Sequence, residues 1–385
     1  MAPAFDTLPE AAVLTAEPAP VPTDWAAAVL QAHWGVDGTL APLSGERDAN
    51  FRVDADDGTR WLFKAAHPIE PPEVTDYQTQ ALDHLARHAP ALPVQRLRPT
   101  RGGALSLALT APDGRPRVLR LISWLEGLPA PQAPRTAALR DDVARMQARL
   151  HRALATLRHP AEARQLPWDL QRAEAVDSLL DQLPQTAGQP QRLAMARRVL
   201  RHHVAQVHGA LAALPRQAIH NDFNLYNLLV QPDAPARVSG VLDFGDMLAA
   251  PRICDVAVAA SYQLDDADGA ASLASVAQFA AAYHAESPLT APELDLLWPL
   301  VQARLVMVVA TSGWRAQRQP AQADYLLRNN AISWQRLAAT QQVDPAAARQ
   351  ALHAACPAPA TPSAQLSNSA SIAAPATDAS AIATP

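Results

Sequence analysis

The chain of 385 residues changes its periodicity once, near residue 125, and that change limits what it can fold into. Before it, residues 39–66 carry short apolar alternation broken by turn chemistry. Phe51-Arg52-Val53 and Trp61-Leu62-Phe63-Lys64 read as two strands joined around Asp56-Asp57-Gly58, a hairpin signal. Residues 73–89 have helical spacing, with Tyr77, Ala81, Leu82 and Leu85 on one stripe. Residues 104–110 and 117–122 read as two more strands, turned at Pro112-Asp113-Gly114. After the change, helical spacing with charged outer faces runs through 136–158, 170–183, 190–213, 252–263, 270–285, 291–318 and 321–340. Two strand-like pieces, 227–230 and 238–242, interrupt it and flank Pro232-Asp233-Ala234-Pro235. The pattern predicts an α+β fold of two lobes. A small antiparallel β lobe with one helix occupies 23–122, a hinge 123–127, and a larger helical lobe holding one hairpin 128–345.

The ends read differently. Residues 1–22 are Ala, Pro and acid without periodicity, a flexible leader. The tail, 346–385, is expected to be mostly disordered. From 357 onward its only large apolar residues are Leu366, Ile372 and Ile382, too few to offset the entropy of ordering it.

Composition narrows the function classes. A net charge of −5 with Arg scattered along the chain argues against a nucleic-acid binder, which needs a basic stripe. Cys254 and Cys356 are too few and too far apart for a disulfide scaffold or a zinc site, and fit a reducing compartment. No run of 18 apolar residues lacks a charge, and the N-terminus lacks a basic region followed by an apolar run. The expectation is a cytoplasmic protein without a membrane span.

The hairpin of the helical half holds the chemistry. His220-Asn221-Asp222-Phe223-Asn224-Leu225-Tyr226-Asn227 enters its first strand, and Asp243-Phe244-Gly245-Asp246 leaves its second. Antiparallel pairing brings Asn227 and Asp243 together, with Asp222 on the entering loop. Phosphoryl transfer from a nucleotide needs such a set. One carboxylate orients the acceptor hydroxyl and takes its proton, while an amide and a second carboxylate offer hard oxygens to Mg²⁺. A cation on the other lobe neutralises phosphate charge. The chain has 31 Arg and one Lys, Lys64, in the second strand of the small lobe's first hairpin. Lys and Arg differ where a compact, strongly hydrated point charge is needed rather than a planar fork.

On these residues the chain resembles the aminoglycoside phosphotransferase and choline kinase-like family. His220, Asp222 and Asn227 match its H-x-D-x-x-x-x-N loop, and Asp243-Phe244-Gly245 its metal segment. The likeness extends to Ser44-Gly45-Glu46-Arg47-Asp48-Ala49-Asn50-Phe51, Leu62-Phe63-Lys64, Arg120-Leu121-Ile122-Ser123-Trp124-Leu125-Glu126-Gly127 and Leu150-His151, spanning about residues 25–340. Within the family, Asp243-Phe244-Gly245-Asp246-Met247 and the Ser-x-Glu-Arg-Asp-like loop look most like the hydroxylysine kinases.

The resemblance implies a protein-kinase-like fold and a role for each matched residue. Asp222 is the implied catalytic base, and His220 braces its loop. Asn227 and Asp243 are the implied Mg²⁺ ligands. Lys64 meets the α- and β-phosphates of ATP or GTP, Ser44, Arg47 and Asn50 lie in the loop over the phosphates, and backbone near Ser123 and Leu125 meets the purine. The family's helix-borne acid, partner of the strand Lys, has Glu73, Asp76 and Gln78 as candidates. Asn221 stands where the family usually has Gly. If that position needs positive φ, Asn is the least costly replacement.

The implied reaction is transfer of the γ-phosphoryl group to a hydroxyl of a small amine-bearing metabolite, with 5-hydroxylysine the first choice. Homoserine, choline or ethanolamine, and aminoglycosides are the alternatives. A non-catalytic nucleotide-binding module would predict loss of Asp222, Asn227, Asp243 or Lys64, and all four are present. An amino-acid acceptor needs an anionic spot and a cationic one. Asp246 and Arg304 are the candidates. Arg304 lies in the apolar stretch 300–310, where a charge is costly unless paired, so it forks onto either a substrate carboxylate or an internal acid. Asp255 reads as a helix-capping anchor, Trp298, Trp314 and Cys254 as core, and His202-His203 as surface or packing.

Overall fold

In the computed structural model the described residues are Phe5, Ala12, Leu14, Ala16, 18–45, 47–184 and 188–358. The small lobe is an antiparallel sheet of six strands in the order β1 (Gly38–Leu43), β2 (Ala49–Ala55), β3 (Arg60–Ala65), β6 (Pro116–Ser123) and β4 (Leu97–Arg98), with β5 (Leu107–Thr110) also on β6. The predicted first hairpin forms β2 and β3, with Phe51 opposite Phe63 and Val53 opposite Trp61. Gly58 takes φ 82° in its turn, a conformation open to glycine. The inward side chains Phe51, Val53, Phe63, Leu119 and Leu121 make a separate core. Helix α1 (Thr23–Trp34) covers this core with Trp34, edge-on to Phe63 at 6.1 Å. Helix α2 (Pro72–His88) bears the predicted stripe of Tyr77, Ala81, Leu82 and Leu85 and joins the core of the large lobe instead.

Trp124, Leu125, Glu126 and Gly127 link the lobes, between β6 and β7 (Leu128–Pro129). β7 pairs with β9 (Leu228–Val230), and β9 with β10 (Val238–Val241), the predicted hairpin of the helical half. β8 (Gln217–Ile219) pairs with β11 (Leu248–Ala250), which clamps the segments on either side of that hairpin. Around them pack α3 (Ala137–Leu154), α4 (Gln189–His202), α5 (Arg252–Ser261), α6 (Gly269–Glu286), α7 (Ala291–Arg318), α8 (Asn330–Thr340) and α9 (Pro345–Ala355). Helix α7 starts at a capping box of Thr290 and Glu293. By length and composition alone it could cross a membrane, but most of it is buried as the axial helix of this lobe.

Three boundaries differ from expectation. The stretch 170–183 is a 3₁₀ segment, Leu170–Val176, followed by one α-turn, because Asp169 caps it at Gln171 and Arg172 leaves helical space at φ −129°. The stretch 321–340 breaks before α8, where Asn330 turns its amide onto Val309 O and Ser312 Oγ of α7. The tail begins later than 346, because α9 buries Ala348 and Leu352, with Cys356 beyond it, against the core. Residues 359–385 lie outside the described ones. The leader is docked at its described points: Phe5 packs edge-on to Trp314 at 5.5 Å, Leu14 joins the large core, and Val21 the small one. Single apolar residues in an Ala/Pro stretch find slots without any periodicity to announce them.

Asp255 is fully buried and bonded to His151 Nε2 at 2.8 Å, so it anchors α5 to α3. Trp298, Trp314 and Cys254 are core; His203 is buried on Leu170 O and His202 is exposed.

Candidate active site

The loop between β8 and β9 is held from behind. His220 is fully buried. Its Nε2 bonds Leu242 O at 2.9 Å, and its Nδ1 accepts the Asp222 amide at 3.3 Å. The ring therefore ties the loop to the far strand, and both nitrogens are spent. Asn221 takes φ 65°, the left-handed conformation expected of a glycine position, and buries an amide whose Oδ1 and Nδ2 have no protein partner.

This backbone turns Asp222 into the cleft. Its Oδ2 accepts from Asn227 Nδ2 at 2.9 Å, and its Oδ1 from Arg304 Nη2 at 3.1 Å. The Asp222 carbonyl also accepts from Asn227 and Asn224. With Nδ2 committed, Asn227 is left with Oδ1 as its free donor atom. Asp243 follows β10 at φ 55° and caps Gly245 N at 3.1 Å. Its surface meets water, yet the surrounding protein penalises its charge. Lys64 and Arg47 outweigh that penalty and hold its carboxyl below the usual range.

The small lobe supplies the cations. Lys64 on β3 lies opposite Asn50 on β2 and Arg120 on β6. Its Nζ is 3.4 Å from Asp48 Oδ2, and Asp48 Oδ1 accepts the His67 amide. Burial opposes the Asp48 charge, but Lys64, Arg120 and Arg47 hold its carboxyl low. The acid partner of Lys64 is therefore on the β1–β2 loop. Of the three helix candidates, Glu73 is exposed and Asp76 bonds His159. Gln78 accepts from the buried Arg120 at 2.9 Å and reaches Gly245 O at 3.4 Å.

Arg47 crosses the cleft. Its guanidinium bonds Asp246 Oδ1 at 3.0 Å, lies 3.8 Å from Glu70, and stands 5.9 Å above the Trp168 ring. Glu70 also pairs with Arg164, whose second nitrogen bonds Gly245 O at 2.9 Å. Asp246 binds its proton more readily than an ordinary carboxyl, because burial raises its pKa and Asp222 and Asp243 add to the rise against the pull of Arg47.

Two joined cavities result. One, of 460 Å³, is lined by Ser44, Arg47, Asn50, Lys64, Asn227 and Asp243. The other, of 190 Å³, lies between Asp246 and α7 and is lined by Tyr262, Arg304, Arg315 and Arg328. Asp222, Asp246, Tyr226 and Trp168 border both. Ser123 is set apart: its amide and hydroxyl bond Arg96, and its carbonyl accepts from Gln95. Leu125, the other residue expected at a purine, likewise is not among the residues lining the two cavities. It packs over Gly240, where an added Cβ would come within 3.2 Å of it.

The donor atoms suit a hard divalent cation. Among the described residues no group of three or more His, Cys, Asp or Glu could hold a metal by itself. An ion completed by phosphate oxygens and water needs only one or two protein oxygens, and Asn227 with Asp243 offers that number.

Sequence reasoning assigned no role to Asp48, Glu70, Arg120, Arg164 or Trp168. Asp48 lay inside the quoted loop. Arg164 and Trp168 lie in irregular chain with no periodicity to mark them, and the buried Arg120 has the alternation of any strand residue.

The chain matches the phosphotransferase enzyme family over residues 39–297. It is 26% identical over 299 residues to hydroxylysine kinase of Danio rerio, covering 75% of this chain and 82% of that one. Among solved structures, an amicoumacin kinase in complex with AMP-PNP and Ca²⁺ superposes with a TM-score of 0.59 at 13% identity, over 81% of this chain and 93% of the other. A microcompartment-associated aminopropanol kinase gives 0.55 at 19%, over 82% and 100%.

Proposed function

We propose that this chain, which belongs to the phosphotransferase enzyme family, phosphorylates the side-chain hydroxyl of 5-hydroxylysine. Membership makes it a kinase of small molecules acting on hydroxyl groups, with a nucleotide co-substrate and a divalent metal ion. The acceptor, the choice of ATP or GTP, the identity of the ion as Mg²⁺ and the residue roles are our reading.

In that reading Lys64, fixed by Asp48, meets the phosphates as a point charge, and Ser44, Arg47 and Asn50 close over them. Asn227 Oδ1 and Asp243 hold Mg²⁺, which supplies charge neutralisation for the transferring group. Asp222 has two lone-pair positions left after Asn227 and Arg304 are counted. They orient the acceptor hydroxyl and receive its proton. His220 fixes the loop without entering the chemistry.

The single observation that carries the acceptor is the sign of charge along the 190 Å³ cavity. Asp222 and Asp246 stand at the end it shares with the larger cavity, with Arg304 bonded to Asp222, and Arg315 lines only the 190 Å³ cavity. In 5-hydroxylysine an ammonium sits on the carbon next to the reacting hydroxyl, and the carboxylate at the far end. Asp246 beside Asp222 suits the first. Arg315 suits the second. The relatives of Danio rerio and Mus musculus that are hydroxylysine kinases support the same acceptor. Choline fits less well, because Arg328 already covers the Tyr226 and Tyr325 rings at 4.8 and 3.8 Å, and a quaternary ammonium needs those faces.

An acceptor panel under saturating nucleotide and Mg²⁺ tests the reading. We expect the highest kcat/KM with 5-hydroxylysine, ahead of homoserine, ethanolamine, choline and a kanamycin-like sugar. Turnover of the sugar with none of 5-hydroxylysine overturns it.

A further inference from the structure

We infer that Arg304 is a positioning residue for Asp222, delivered to the catalytic loop from the middle of α7, 82 residues downstream. This rests on Asp222 being the base.

The loop 220–227 carries no Lys or Arg of its own. Phe223, next to the acid, points into the core at 1% exposure, and Asn224 is used to cap Tyr226 N and to bond the Asp222 carbonyl. Only Asn227 within the loop reaches the carboxylate, and it reaches one oxygen. A carboxylate held by one oxygen still swings about its Cβ–Cγ bond. The second oxygen is held by Arg304 Nη2 at 3.1 Å, from a different element.

The helix that brings Arg304 is otherwise a poor place for a cation. Leu300, Val301, Ala303, Leu305, Val306 and Met307 around it are all buried, and Arg304 itself is 6% exposed. A charge at that depth is costly unless it is paired. Asp222 is its acid partner, and the Tyr262 hydroxyl beyond α5 interacts with the same guanidinium. Its Nε has no partner. A guanidinium that served only to satisfy an acid for stability would not need to come from the wall of the acceptor cavity, where Arg304 lies. The arrangement gives a rigid helix control over the orientation of the group that must meet the acceptor hydroxyl within hydrogen-bond reach.

The consequence separates Arg304 from a residue that reads the substrate's carboxylate. A positioning residue affects the reacting step with every acceptor. A carboxylate reader affects KM, and only for acceptors that carry one.

Arg304→Met and Arg304→Lys are therefore compared with wild type on 5-hydroxylysine and on an amino alcohol that lacks the carboxylate, with thermal unfolding and nucleotide Kd as checks on the fold. We expect kcat of Arg304→Met to fall about 100-fold with both acceptors, the order lost when a reacting group is misplaced by about 1 Å. Acceptor KM and nucleotide Kd stay within about twofold. Arg304→Lys keeps the charge without the fork and recovers part of kcat with both. If Arg304→Met does not fold, Arg304→Lys alone decides: lowered kcat at unchanged KM supports the inference. Unchanged kcat in either variant, or a raised KM confined to 5-hydroxylysine, overturns it. Asp222→Asn in the same assay isolates the premise. An active Asp222→Asn removes the base itself, whereas an inactive one beside a normal Arg304→Met rejects the positioning role alone.

Discussion

Lys64 Nζ lies 3.4 Å from Asp48 Oδ2, and the two reach each other from adjacent parts of the small sheet rather than from sheet and helix. Arg120 stands directly across from Lys64 on β6, fully buried and bonded to Gln78. The β3 site is thus bounded by an acid on one side and a guanidinium on the other. It has room for a compact ammonium. Lys64→Arg would set two planar forks side by side, with only Asp48 between them. We expect kcat/KM for the nucleotide to drop roughly 10- to 100-fold, below the loss usual for removing an electrostatic donor outright. Steady-state kinetics with varied nucleotide checks this, and near-normal values would contradict the need for a point charge at Lys64.

The same pair predicts a pH dependence. The Asp48 carboxyl has an ordinary value of 3.8 and is held lower by Lys64, Arg120 and Arg47 against its burial. A depressed carboxyl stabilises the fold above its unfolded value, and that stabilisation is lost as pH falls through the folded one. Asp48→Asn should cost about 1.5–3 kcal/mol near neutral pH, the range for a hydrogen bond to a charged group. The gap to wild type should close only below the ordinary carboxylate range. Denaturant unfolding at neutral pH and at pH 3 measures both.

Asn221 carries a separable cost. Its φ of 65° is strained for a residue with a Cβ, and its buried amide lacks partners. Asn221→Gly relieves both and should be at least as stable as wild type, with activity kept. Asn221→Ala relieves only the second and should be less stable than the glycine variant by roughly 1–2 kcal/mol, the left-handed penalty. Thermal unfolding of the three proteins gives the order.

Arg47 and Asp246 make the fourth test. Asp246 must be ionised to hold an ammonium. Its carboxyl binds a proton more readily than usual because of burial and of Asp222 and Asp243, and Arg47 restrains that. Acceptor KM should therefore rise as pH falls toward the acid side of neutrality. In Arg47→Met the carboxyl goes higher still, so the rise begins at higher pH. In Asp246→Asn, KM should be high throughout and flat with pH. A sloping KM in Asp246→Asn would assign the titration to another group.

Much of this is legible in the sequence. Two periodicities and one hairpin placed both lobes and the hinge, because Phe51, Val53, Trp61 and Phe63 alternate and Tyr77, Ala81, Leu82 and Leu85 recur at helical spacing. Asp222, Asn227 and Asp243 came from spacing across that hairpin. Long-range pairing was not legible. Asp48 pairs with Lys64 across a turn, Arg304 pairs with Asp222 over 82 residues, and Arg47 reaches Asp246 over 199. Local pattern shows that a buried Arg needs a partner, and only the packed chain shows which acid it meets. The aromatics of the cleft were hidden for the same reason. They are few in the sequence, but Trp168, Tyr226, Tyr262 and Tyr325 are gathered at one place by four separate segments.

The central claim is that Asp222 directs a nucleotide's γ-phosphoryl group onto the hydroxyl of 5-hydroxylysine. Its most direct test is the product. The enzyme is incubated with Mg²⁺, nucleotide and 5-hydroxylysine, and the phosphorylated position is read by ³¹P NMR coupled to the carbon-bound proton. The account predicts a phosphomonoester on C5, formed by wild type and absent with Asp222→Asn. No phosphorylated amino acid from wild type, or the same ester from Asp222→Asn at a comparable rate, would contradict it.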